Sequence, residues 1–77
     1  MRELSNFIRF AVTCTAANMS QSAPTYVDCA DYASPHDAYK VAEFKARQAV
    51  QSGFRVAITG QLQSGEWQLV KMFYSKN

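Results

Sequence analysis

The chain has 77 residues, 48% hydrophobic and 13% aromatic, with 18% charged and a formal net charge of +2. That length supports one domain, residues 1–77, whose core supplies about 3–5 kcal/mol of net stability. The composition excludes a disordered chain, a polybasic tail and the acidic surface of a DNA mimic.

From Phe7 to Thr15 the residues alternate, with Ile8, Phe10, Val12 and Cys14 on one face and Arg9, Thr13 and Thr15 on the other, so a half-buried strand is predicted. Ala17 to Pro24 has no periodicity and reads as a connection. A second strand is expected over Thr25–Ala33, with Val27 and Cys29 inward and Tyr26, Asp28, Ala30 and Tyr32 outward. A hairpin centred near Gln21 and Ser22 would then set Cys14 opposite Cys29, as two small buried thiols in a reducing compartment or, as the alternative, as a bridge.

Ser34, Pro35 and Asp37 combine an N-cap hydroxyl, a proline at the first helical position and an acidic third residue, so a helix starts there. It is expected to run from Pro35 to about Ser52 and to end at Gly53. Ala38, Tyr39, Ala42, Ala46, Ala49 and Val50 share one stripe, opposite Lys40, Glu43, Arg47 and Gln51. A third strand follows with Phe54, Val56 and Ile58 inward, then a Ser64-Gly65 turn and a fourth strand over Trp67–Tyr74. A two-residue loop there pairs Leu62 with Trp67, Gly60 with Leu69 and Val56 with Phe73, and leaves Lys71 opposite Ile58 as a misfit. The expected architecture is α+β: a four-stranded antiparallel sheet in the order β-β-α-β-β along the chain, with one helix packed on one face.

No constellation for catalysis is visible. His36 is the only histidine and falls in the first helical turn, away from both cysteines, so there is no nucleophile–base pair. Asp28 and Asp31 fall on opposite faces of the second strand, and Asp37 is committed to the helix start. The three glycines lie too far apart for a phosphate-cradling loop, and no cysteine–histidine spacing suits a metal. The expectation is a protein that is not an enzyme and needs no cofactor or metal.

Binding has two candidate surfaces. Phe44 projects opposite the alanine stripe among Lys40, Arg47 and Gln48, with Val41 beside it, an aromatic-plus-arginine pairing common in interface hot spots. The outer face of the sheet should gather Arg55, Ala57, Thr59, Val70, Met72 and Tyr74, joined by Tyr26 and Tyr32. Phe44, Arg47, Lys40, Arg55, Val70, Met72 and Tyr74 are therefore the predicted partner-binding residues. Aromatics beside arginines on a sheet also suit base stacking, so nucleic acid enters as an indirect partner, and the exposed sheet face suits a homodimer.

Ser34, Asp37-Ala38, Val41-Ala42-Glu43-Phe44 and Gly53-Phe54-Arg55-Val56 resemble the corresponding stretch of the small RNA polymerase inhibitors of T7-like phages. The likeness runs from Phe7 to Thr59. The chain departs from that family in a longer helix, a fourth strand, and Ile58 and Gly60 where the family carries arginines. The resemblance implies a phage-encoded inhibitor, similar in type to small anti-CRISPR proteins. Such a protein would bind and block a bacterial nucleic-acid machine, a CRISPR effector complex or host RNA polymerase, inside the host cell. Two other readings stay open: a nucleic-acid-binding regulator using the sheet face, and a peptidoglycan-binding module, since Tyr26 to Val70 is similar to the βαβ pattern of SPOR domains. No apolar run is long enough to cross a bilayer, and Arg9 interrupts the only stretch suited to a leader, so a cytoplasmic location is expected.

Overall fold

A computed structural model describes residues 4–16, 24–51 and 54–74; at 15, 16 and 54 only the backbone is described. A 3-10 turn, Leu4–Asn6, leads into β1 (Phe7–Ala16). There follow β2 (Thr25–Asp28), a second 3-10 turn (Cys29–Asp31), α1 (Pro35–Gln51), β3 (Phe54–Leu62) and β4 (Trp67–Phe73). The strands form one sheet in the order β2-β1-β3-β4, with every pair antiparallel. The helix lies over the central strands β1 and β3. This is the predicted α+β architecture.

The helix is built as its sequence requires. Ser34 Oγ accepts from the Asp37 N–H at 3.3 Å, and the Ser34 carbonyl accepts the first helical bond from Ala38 at 3.1 Å. Ala38, Ala42 and Ala46 are fully buried, and their small side chains let the helix lie close on Phe10, Val12, Val27, Val56 and Ile58. Val41 also packs against this core instead of standing beside Phe44 in solvent. The expected helix end at Ser52 and Gly53 lies outside the described residues.

Three departures from regular pairing reshape the sheet. In β1, Phe7 pairs with Leu62 and Arg9 with Gln61, so Ile8 is an extra residue. The bulge turns Phe7 inward and leaves Ile8 exposed, against the simple alternation. Phe7 lies over Gly60, where a Cβ would come within 2.6 Å of its ring. The ring also stands 5.6 Å from Phe10, which in turn meets Tyr39 edge-on at 5.5 Å.

The β3–β4 turn has three loop residues, not two. The Leu62 carbonyl accepts from Gly65 N–H at 2.9 Å, Leu62 N–H donates to Glu66 at 2.8 Å, and Gly65 has φ +98°. This shifts the adjoining pairs by one, so Gln61 faces Trp67 and Thr59 faces Leu69. A second bulge at Val70 restores the predicted register, with Ile58 on Lys71 and Val56 on Phe73. Val70 consequently packs on the helix side.

The second strand is shorter than expected. Asp28 accepts from the Ala30 N–H at 3.3 Å and caps the 3-10 turn, so the side chain takes a backbone group that a longer strand would need. Cys29, Asp31 and Tyr32 therefore leave the sheet. Arg9 pairs with Asp28 and Phe10 with Val27, a register that does not set the cysteines opposite each other. Cys14 instead faces Val56 on β3; neither cysteine is in a disulfide, and both are half-buried against the core.

Candidate interaction surfaces

Alternation and register place side chains in rows across the outer face of the sheet, the side away from α1. One row is Asp28, Arg9, Gln61 and Trp67; the next is Tyr26, Ala11, Thr59 and Leu69. Thr13, Ala57 and Met72 form the third, and Arg55 with Tyr74 lies beyond it. Tyr26, Trp67, Leu69, Met72 and Tyr74 are each between 38% and 61% exposed, although the core is closed without them.

Because Ala11 and Thr59 are small, rings from the two edge strands can lean toward each other over them. Tyr26 and Trp67 meet with centroids 6.2 Å apart, and Ala11 is left 5% exposed on a face that is otherwise open. The Arg9 guanidinium stands 5.9 Å from the Tyr26 ring and 3.5 Å from the Asp28 carboxylate. Arg55 is exposed at the other end and forms no ion pair among the described residues. The face therefore combines aromatic, aliphatic and methionine side chains with two arginines and one carboxylate. This is the composition of a protein-interface core, which is enriched in aromatics, Met and Arg and depleted in other charges.

The second surface lies on the helix. Phe44 is 61% exposed, between Lys40 and Arg47. Glu43 accepts from Arg47 at 3.4 Å and from Lys71 on β4 at 3.5 Å. Both cations also sit over Phe73, at 5.8 Å and 5.1 Å from its centroid. Lys71 is thus no misfit: it lies on the helix side and ties β4 to α1. Contacts this exposed fix orientation more than they stabilise.

The predicted partner-binding residues divide between these surfaces. Phe44, Lys40 and Arg47 share the helix, while Arg55, Met72 and Tyr74 share the outer sheet face; Val70 belongs to neither. Trp67 and Leu69 were missed because an unbroken two-residue alternation directs them inward. The adjacent apolar pairs Leu69-Val70 and Met72-Phe73 are the signal of a strand that changes face partway.

Polar chemistry elsewhere is tied to structure. Burial raises the Cys14 thiol pKa; burial and then the neighbouring Asp28 raise that of Cys29, so neither is a poised nucleophile. Burial foremost, then Glu43, raises the Tyr39 phenol, which Arg47 partly offsets. Among the described residues no three His, Cys, Asp or Glu side chains gather as a metal site would require. No described helix is long and apolar enough to cross a membrane. Comparison with protein-family models, with curated proteins and with solved structures gives no match.

Proposed function

We propose that the chain acts by binding and not by catalysis, as a phage-encoded inhibitor that occupies a protein surface of a bacterial nucleic-acid machine inside the host cell. One observation carries the binding half. Large apolar side chains stand in solvent on both sides of a small domain whose core is complete without them. The kind of target comes from the resemblance of residues 34–56 to the polymerase inhibitors, and a CRISPR effector complex or RNA polymerase is the expected partner.

The charge pattern favours a protein over a nucleic acid. On the outer sheet face Asp28 offsets Arg9, so Arg55 is the single uncompensated charge described there. Nucleic-acid surfaces draw affinity from many phosphate contacts.

Affinity capture of the tagged chain from bacteria with active CRISPR immunity, with and without nuclease, tests the reading. The expected result is a nuclease-resistant effector complex or polymerase, reduced at least tenfold in yield by Phe44→Glu. Recovery of nucleic acid alone, with affinity falling steeply with salt, would replace it with the regulator; binding to glycan strands would replace it with the SPOR-like module.

A further inference from the structure

On the outer face β4 presents Trp67, Leu69, Met72 and Tyr74 in that order: aromatic, aliphatic, aliphatic, aromatic. Between the two aliphatic residues the bulge turns Val70 and Lys71 to the helix side. The ladder therefore reads alike from either end. A two-fold interface requires this property, because the patch must be complementary to itself.

We propose that the outer sheet face is the contact between two copies of this chain. The two-fold axis lies between the stacked sheets and crosses the strands at the Val70 bulge. Trp67 of one copy then meets Tyr74 of the other, and Leu69 meets Met72, twice over. Sheets packed face to face sit about 10 Å apart and interdigitate side chains of this size.

Charge permits the pairing, since Asp28 holds Arg9 and only Arg55 from each copy enters unpaired. Area sets its strength. Four strands about 4.8 Å apart and seven residues of about 3.3 Å make a face of roughly 450 Å² in projection. A standard interface buries about 800 Å² per partner, so the dimer is expected to be concentration-dependent. It leaves Phe44, Lys40 and Arg47 on both outer sides, so under the binding reading above the target meets the helix surface, presented twice.

Sedimentation equilibrium over the micromolar range tests the pairing. Wild type and Phe44→Glu should dimerise, whereas Leu69→Glu and Met72→Lys should each be monomeric. Mixing these last two variants should restore a one-to-one dimer, because opposite charges then meet at one Leu69–Met72 contact while the other is native. Folding of each variant is checked by circular dichroism and, independently, by that recovery. A wild type monomeric throughout, single variants that dimerise like wild type, or a mixture that stays monomeric would overturn the proposal. Failure here leaves target capture unaffected, and a wild-type chain that dimerises yet captures no target counts against the inhibitor reading alone.

Discussion

Phe7 and Gly60 form one unit at the end of the sheet. The β1 bulge swings the Phe7 ring inward, and only a residue without a Cβ leaves room for it. Gly60→Ala forces the ring aside and should cost about 1–3 kcal/mol in chemical denaturation. Combined with Phe7→Leu it should cost less than the sum of the two changes, because neighbours that share a space do not act independently. Strict additivity would contradict the contact. The titrating groups make a second prediction at this scale. Cys14, Cys29 and Tyr39 all have raised pKa values in the fold, so each prefers its neutral form there. Above the ordinary thiol value of 9.0 the unfolded chain loses these protons before the folded one does, and stability falls as pH rises. Urea midpoints should therefore decline from pH 8.5 to 10.5, and both thiols should alkylate more slowly in the native chain than in urea. An unchanged midpoint would contradict the burial.

At the scale of elements, the helix was legible because its signals are local. Ser34, Pro35 and the alanine spacing each act within one or two turns, and Ser34→Ala should cost about 1 kcal/mol in a thermal or urea melt. The third strand was equally plain, since Val56 and Ile58 alternate without interruption. Bulges were missed, because Ile8 and Val70 carry no glycine or proline to mark them and the adjacent apolar pairs of β4 are the one signal that departs from simple alternation. The expected hairpin gave the right pairs far from the turn and wrong ones near it, since the Gly65 loop and the Val70 bulge shift the register by opposite single steps. The second strand failed for a different reason: a carboxylate at Asp28 competes with the ladder, a choice that alternation does not encode. The Val70 bulge also guards an edge. β4 lies at one side of the sheet, and a strand that changes face midway cannot pair along its whole length with another copy of itself. Deleting Val70 joins the two registers into a regular strand. The variant should still melt cooperatively, lose about 1 kcal/mol for the missing partly buried side chain, and scatter more light on concentration. An unfolded variant would show that the bulge is needed for the fold itself.

The whole molecule is a two-layer sandwich with apolar side chains left over on both of its outer sides. Half of the candidate site was readable from sequence: Phe44 with its flanking cations, and Arg55, Met72 and Tyr74 on the sheet. The other half, Trp67 and Leu69 and the Tyr26–Trp67 contact, depends on bulges and on strand order, which only the assembled sheet reveals. Under the binding reading proposed above, such a molecule works in proportion to how much of it is bound, without turnover. That is the central claim, and titration of the captured complex tests it most directly. Increasing amounts of the chain are added to a fixed amount of purified effector or polymerase while its activity is measured. Activity should fall linearly and level off at a fixed whole-number ratio of chain to target, with Phe44→Glu shifting that curve. Complete inhibition at far less than one chain per target would mean that the chain modifies its target catalytically, and would contradict the account.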